Sequence, residues 1–104
     1  MKLEYYPVEK LKQEVRDVIK KYPALEGYRV FFFGSRVSGK GTSRSDIDVG
    51  IEGPNEVPSS AMISIKEDIE KLPILYKIDV VDFKAASDDF REVALQYIEP
   101  INAP

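Results

Sequence analysis

Hydrophobic residues recur along this chain with the spacing of helices in some segments and of strands in others. Together these patterns predict the order helix, strand, loop, strand, helix, strand and helix. Apolar residues spaced three or four apart predict amphipathic helices over about 7–22 and 59–72. Runs of β-branched and aromatic residues predict strands over 28–33 and 76–83. A polar–apolar alternation over 46–52 predicts a third strand with one buried face.

The last part of the chain predicts a further helix. Ser87 is a suitable N-cap, because its hydroxyl can accept a hydrogen bond from a backbone N–H of the first turn. The helix should continue to about residue 98, and four of its residues are spaced to face the core: Phe90, Ala94, Tyr97 and Ile98. Strands that alternate with helices predict a sheet covered by helices, in an α/β or α+β domain.

The length of 104 residues limits the organisation of the chain. A chain of this size buries roughly two-thirds of its unfolded surface, which supports one hydrophobic core. We therefore expect residues 1–104 to form a single domain. No apolar run approaches the length of about 18 residues that spans a membrane, and the first residues lack an apolar signal segment. We expect a soluble, cytoplasmic protein.

Composition narrows the chemistry that the chain can perform. The sequence contains no Cys and no His, which excludes disulfides, thiolate nucleophiles, zinc ribbons and Ser-His-Asp triads. Acid–base or metal chemistry must then use carboxylates, Lys, Tyr or the backbone. Sites built only from oxygen ligands suit hard cations such as Mg²⁺ or Mn²⁺.

Charge is divided unevenly along the chain, whose formal net charge is −3. Residues 1–45 carry ten Lys or Arg and five Asp or Glu, a balance of +5, and the remaining residues have a balance of −8. The sign changes between Ser45 and Asp46. Such asymmetry often reflects only solvated surfaces, but it also fits a basic loop that meets an acidic cluster. The acidic balance argues against a nucleic-acid partner.

The most informative segment joins the first two predicted strands. It contains Gly34 and Ser35, a loop rich in glycine, serine and basic residues, and then Asp46 and Asp48. Backbone N–H groups and serine hydroxyls in such a loop can bind phosphate oxygens. Residues i and i+2 of a strand point to the same side, so the two carboxylates repel unless a cation lies between them. Gly, Ser and Asp are also ordinary turn residues, so the loop composition alone favours a structural interpretation.

The complete pattern is more specific than the loop alone. Gly34-Ser35, a ten-residue spacer and Asp46-Ile47-Asp48 resemble the signature of the DNA-polymerase-β-like nucleotidyltransferases. The order strand, loop, strand, helix, strand around this signature is also similar, and the resemblance covers nearly the whole chain. The small size is most similar to that of the minimal nucleotidyltransferases. The resemblance implies an α+β fold in which helices cover a mixed β-sheet.

That family requires a third carboxylate from a neighbouring strand, and the strand predicted over 76–83 offers Asp79 and Asp82. These residues are three apart and therefore face opposite sides of the sheet, so one of them at most can join the pair at 46 and 48. We favour Asp79, because a carboxylate in the middle of a strand is costly without a partner. Asp82 lies near the strand end, where solvent suffices.

The resemblance implies transfer of a nucleoside monophosphate, AMP from ATP, to an acceptor hydroxyl with release of pyrophosphate. Asp46, Asp48 and Asp79 are then the catalytic carboxylates, and they hold two Mg²⁺ ions, with Mn²⁺ as the alternative. The residues implied to bind phosphate are Gly34, Ser35, Arg36, Arg44 and Ser45, with Lys40 as a further candidate.

The resemblance also implies a protein partner. Minimal nucleotidyltransferases act beside HEPN-type helical proteins in toxin–antitoxin pairs, where they can adenylylate a tyrosine of the partner. Two alternatives stay open: transfer to a small molecule or a nucleic-acid end, and a catalytically silent antitoxin that acts by binding alone. The sequence also leaves open a homo-oligomer, since an edge strand could pair two copies.

Overall fold

One four-stranded sheet organises the protein in the computed structural model, which describes residues 1–102. The strands lie in the order β3-β2-β1-β4, where β1 is Arg29–Phe33, β2 is Ile47–Glu52, β3 is Ile78–Asp82 and β4 is Glu99–Pro100. β1 pairs antiparallel with β2 and with β4, and β2 pairs parallel with β3. The sheet is therefore mixed, which confirms the expected fold class.

Two of the helices cover one face of this sheet. Within residues 1–102 the helices are α1 (Val8–Ile19), α2 (Ser35–Ser38), α3 (Ser59–Glu70) and α4 (Asp88–Ala94), with a 3₁₀ turn at Pro23–Leu25. Leu11, Val15 and Ile19 of the predicted α1 stripe are buried, together with Ile65 and Ile69 of α3, against inward side chains of the sheet, whereas Val8 and Tyr22 at its ends are partly buried. No helix among these residues is both long enough and apolar enough to cross a membrane.

The second face of the sheet carries a smaller aromatic cluster. The rings of Phe31 and Phe33 each meet the ring of Phe83 edge to face, with centroids 4.9 Å apart. Gly50 of β2 makes room for this arrangement, because a Cβ there would lie 2.6 Å from the Phe31 ring. α4 and the segment after it pack Ala94, Leu95 and Ile98 on the cluster. α4 and the segment after it leave part of the second face open beside the first residues of β2 and β3.

The last predicted helix differs from the structure in its length and in its buried face. The N-cap was predicted correctly, since the Ser87 side chain accepts from the Phe90 N–H at 3.2 Å. The helix ends at Ala94 rather than near residue 98. Tyr97 is 56% exposed, so the expectation that it faces inward was wrong, whereas Phe90 is 41% exposed but its ring meets the rings of Phe33 and Phe83 at 6.0 and 5.6 Å. Apolar residues with helical spacing can form either a buried stripe or the wall of a cavity. Periodicity alone does not distinguish these two outcomes.

The short strand β4 was not predicted from the sequence. Its pairing with β1 is long-range, and it is supported by Asn102, whose Oδ1 accepts from the Val30 N–H at 2.9 Å. The Asn102 Nδ2 also donates to the Tyr28 carbonyl at 2.8 Å. β1 thereby becomes an inner strand, and its phenylalanines are buried within the chain.

Candidate active site

The chain turns sharply at Gly34, where β1 ends and α2 begins. Gly34 has a φ of +86°, in the left-handed region that glycine adopts at little cost. The antiparallel register places Phe33 opposite Asp48, and a Cβ at position 34 would overlap the Asp48 carboxylate. The glycine therefore permits the turn and lets the backbone approach a carboxylate closely.

The short helix α2 presents backbone donors directly after this turn. The N–H groups of Val37 and Ser38 donate to the Gly34 carbonyl at 3.1 and 3.0 Å. The N–H groups of Ser35 and Arg36 open the helix, where an intrahelical acceptor does not exist. Donors in this position, together with the Ser35 hydroxyl, can bind phosphate oxygens.

The structure brings the three predicted carboxylates together beside this turn. The parallel register places Asp48 of β2 directly opposite Asp79 of β3, and Asp46 immediately precedes β2. Asp48 is partly buried. Its pKa is raised to about 6 by burial and by the negative charges of Asp79 and Asp46. The mutual repulsion expected from the sequence is therefore present in the fold.

Asp82 lies on the other face of the sheet. Along β3, Val80 belongs to the core beneath α1 and α3, whereas Val81 packs on the aromatic cluster. The alternation puts Asp82 on the same face as Val80. Its carboxylate accepts from the Val57 N–H at 2.8 Å and from the Lys84 N–H at 3.0 Å. These two bonds fasten backbone segments and keep Asp82 away from Asp48.

The donor set fits a hard divalent cation. The Nζ of Lys77 lies 3.9 Å from a carboxylate oxygen of Asp46 and 3.9 Å from one of Asp79, so a positive charge already lies near both carboxylates. Across residues 1–102, three acidic side chains do not close around one point as a complete metal cluster. Carboxylate oxygens are nevertheless the ligands that Mg²⁺ and Mn²⁺ prefer. A cation here would also relieve the repulsion that raises the pKa of Asp48.

Arg36 is engaged within the loop rather than extended toward the carboxylates. Its Nε donates to the Ser45 carbonyl at 2.7 Å, and a terminal nitrogen donates to the Ser43 carbonyl at 2.9 Å. The guanidinium also lies over the Tyr76 ring, 4.9 Å from its centroid. These contacts join the two ends of the loop between α2 and β2.

The other predicted phosphate-binding residues are distributed on two sides of the carboxylates. The Ser45 hydroxyl accepts from the Thr42 N–H at 2.9 Å, and the Arg44 side chain is in an exposed position. Arg44, Ser45 and Asp46 line a hollow of about 670 Å³ beside Lys77. Gly34 and Ser35 do not line this hollow, so the five residues do not surround one point.

A larger cavity of about 970 Å³ contains the remaining parts of the predicted site. It is bounded by the turn after β1, by the carboxylates of β2 and β3, and by α4 with the segment that follows it. The residues that define these walls are Gly34, Ser35, Ser38, Lys40, Asp48, Asp79, Asp89, Phe90, Val93 and Tyr97. The cavity combines backbone donors, a lysine, two carboxylates and an apolar wall.

Sequence reasoning missed the α4 wall of this cavity and the side chain of Ser38. Phe90 and Tyr97 were expected in the core, and Val93 was not considered. A weak signal exists for Ser38, since it lies in the Gly- and Ser-rich loop. The sequence contains no comparable signal for the α4 residues, because their cavity position depends on how α4 lies on the sheet.

The motif and the fold are those of a known family. The family model described as "Polymerase beta, Nucleotidyltransferase" matches residues 13–101. The chain belongs to this family. Nucleotidyltransferases of this family generally use a divalent metal ion, in agreement with the donor set formed by the carboxylates.

A relative with a related sequence is the "Probable protein adenylyltransferase MntA" of Haemophilus influenzae. It is 35% identical over 66 residues, which make up 64% of this chain and 58% of the relative. The chain thus spans less than two-thirds of the length of this relative.

Solved structures of toxin–antitoxin complexes share the fold. One is described as a toxin–antitoxin with AMP-PNP, with a TM-score of 0.69 and 16% identity, and it covers 89% of this chain and 73% of that one. Another is a tri-AMPylated Shewanella oneidensis HEPN toxin in complex with an MNT antitoxin. Its TM-score is 0.61 at 15% identity, over 93% of this chain and 74% of that chain. At this identity the likeness establishes the nucleotidyltransferase fold.

Proposed function

We propose that this nucleotidyltransferase moves AMP from ATP to a tyrosine hydroxyl of a HEPN-type partner protein and releases pyrophosphate. The observation that carries the proposal is the register of Asp48 opposite Asp79, beside the Gly34-Ser35 turn, within one cavity. Backbone donors and clustered carboxylates at this spacing suit a triphosphate and the divalent ions that accompany it.

The phosphates of ATP bind at the turn in this proposal. The N–H groups that open α2 and the hydroxyl of Ser35 contact the β- and γ-phosphates, which leave as pyrophosphate. Lys40 lines the same cavity and adds positive charge. Arg44 and Ser45, on the other side of Asp46, contact phosphate only at the edge of the site. Arg36 acts as a positioning residue, because its guanidinium is engaged with the loop carbonyls.

In this proposal Asp46, Asp48 and Asp79 would hold two Mg²⁺ ions. Bound metal would neutralise the triphosphate charge and lower the pKa of the attacking hydroxyl. Asp48 and Asp79 would keep the positive charge of the metal beside the start of β2 and β3, within the cavity that the acceptor would enter. The α-phosphorus is then exposed to a hydroxyl that enters from the open part of the sheet face.

The protein acceptor is supported by the known relatives. The curated relative is named as a probable protein adenylyltransferase, and a solved complex of the same fold holds a tri-AMPylated HEPN toxin. The name and the modified toxin describe those proteins, and we extend them to this chain because Gly34-Ser35, Asp48 and Asp79 line one cavity here.

The test is transfer of label from ATP that carries ³²P on the α-phosphate to a purified HEPN-type protein, with Mg²⁺ present. We expect AMP on the partner, identified by mass spectrometry, and loss of transfer in Asp48→Asn or after chelation with EDTA. Asp82→Asn is the matched control, since it removes a carboxylate from the same strand pair but from the opposite face. Transfer that persists in Asp48→Asn would refute the assignment of the site. Inhibition of the partner without transfer would show a binding antitoxin instead.

A further inference from the structure

The six tyrosines of the chain differ in what their hydroxyl groups contact. The hydroxyls of Tyr6 and Tyr22 donate to the carboxylates of Glu14 and Asp68, and the hydroxyl of Tyr28 donates to the Asn55 carbonyl. These phenols are engaged with the folded chain, and releasing them would break a hydrogen bond.

Tyr76 is also engaged, whereas Tyr5 and Tyr97 are exposed. The Tyr76 hydroxyl accepts from the Tyr5 N–H at 3.2 Å, and its ring is covered by Arg36. Tyr5 is 83% exposed and Tyr97 is 56% exposed. Tyr97 lines the cavity that contains Gly34, Asp48 and Asp79, whereas Tyr5 lines the separate hollow beside Arg44, Ser45 and Asp46.

The location of Tyr97 gives its side chain freedom near the site. It follows α4, which ends at Ala94, and precedes β4, which begins at Glu99. The ring stands at the wall of the cavity and outside the aromatic cluster beneath it. A phenol at the edge of an open cavity can turn about its side-chain bonds without unfolding either neighbouring element.

We propose that Tyr97 is a self-modification site: without its partner, the chain transfers AMP from ATP to the hydroxyl of its own Tyr97. This inference rests on the proposed function, because it uses the same carboxylates and the same nucleotide. It adds a second acceptor, a tyrosine of the enzyme itself. Transfer takes place within one chain, since Tyr97, Asp48 and Asp79 line one cavity of that chain.

The reaction balances without any further reactant. The phenolic oxygen of Tyr97 forms a bond to the α-phosphorus of ATP. The bond between that phosphorus and the oxygen that bridges to the β-phosphate breaks, and pyrophosphate leaves with the bonding electrons. The phenolic proton passes to water at the half-exposed side chain. The product is a phosphodiester between tyrosine and adenosine.

The experiment incubates the purified chain alone with Mg²⁺ and ATP and measures the intact mass and the modified peptide. We expect one AMP on the peptide that contains Tyr97. Tyr97→Phe should lose this label and Tyr5→Phe should keep it, since Tyr5 is exposed but lies outside this cavity. Asp48→Asn should also lose it. Each variant is assayed in parallel for transfer to a purified HEPN-type protein.

The parallel assay separates failure of this inference from failure of the proposed function. If the chain labels the partner but not itself, or labels itself elsewhere, self-modification at Tyr97 is wrong and the proposed function stands. If neither protein is labelled, both proposals are wrong. A mixture of Asp48→Asn chain and active Tyr97→Phe chain should stay unlabelled. Label on the Asp48→Asn chain in that mixture would overturn transfer within one chain.

Discussion

Replacing Asp48 with asparagine should make the protein more stable while abolishing transfer. Asp48 faces Asp79 across the β2–β3 pairing and lies near Asp46. Asparagine has nearly the same shape and no charge, so the substitution removes the repulsion and the cost of burying a carboxylate together. A residue retained for function at the expense of stability is expected to behave in this way.

The magnitude follows from the pKa of Asp48. Raising the pKa from 3.8 to about 6 corresponds to an ionisation cost of roughly 3 kcal/mol, since one pKa unit equals about 1.4 kcal/mol. Asp48 is only partly buried, so screening by solvent reduces the cost to about 1–2 kcal/mol. We therefore expect Asp48→Asn to raise the free energy of unfolding by about 1–2 kcal/mol above neutral pH. In a chain of this size each kcal/mol raises the melting temperature by about 4–8 °C.

The gain should depend on pH in a defined direction. The folded protein holds the Asp48 proton more tightly than the unfolded chain, because the pKa is about 6 in the fold and 3.8 without it. The wild type therefore loses stability as the pH rises between these two values. Asp48→Asn should not show that loss, so its advantage over the wild type is small near pH 4 and complete above pH 6.

The assay is urea denaturation with EDTA at several pH values between about 4 and 8, followed by the same series with Mg²⁺. Mg²⁺ should stabilise the wild type and have a smaller effect on Asp48→Asn. The matched control is Asp82→Asn, which should destabilise the protein because the Asp82 carboxylate accepts two backbone N–H groups. A loss of stability in Asp48→Asn at pH 8, or a gain that does not vary with pH, would refute this reasoning.

Three further substitutions test other parts of the site and its support. Gly34→Ala should cost about 2 kcal/mol or more in urea denaturation, because alanine is strained at this positive φ and its Cβ overlaps Asp48, and it should also abolish transfer. Arg36→Lys should raise the KM for ATP and reduce stability by about 1 kcal/mol, as a positioning residue does. A higher KM with unchanged stability would instead indicate direct phosphate contact. Ser87→Ala should lower the melting temperature through the loss of a cap worth about 1 kcal/mol, and an unchanged melting temperature would show that the cap does not contribute.

The sequence predicted a structural element correctly wherever neighbouring residues specify that element. Local periodicity predicts the apolar stripe of α1 and the three longer strands, and a local hydrogen bond forms the Ser87 cap. β4 was missed because two residues carry no periodicity, and because its stability comes from pairing with β1 about seventy residues away. The end of α4 was misplaced for a related reason, since its apolar spacing continues past the last helical hydrogen bond.

The sequence by itself determined which side chains are available for the chemistry proposed at the site. The absence of Cys and His restricts metal ligands to oxygen, and the spacing from Gly34-Ser35 to Asp46 and Asp48 is a property of one continuous segment. Local spacing can encode a turn, a loop and two carboxylates on a strand, because every distance within them is set by a few backbone bonds.

Only the tertiary structure decided which other residues lie at that segment. The parallel register of β2 and β3 put Asp79, and not Asp82, opposite Asp48. The position of α4 and of the segment after it on the sheet placed Phe90 and Tyr97 in the wall of the cavity. Strand register and helix placement depend on packing contacts throughout the core. These contacts join distant parts of the chain, so no single segment of the sequence specifies them.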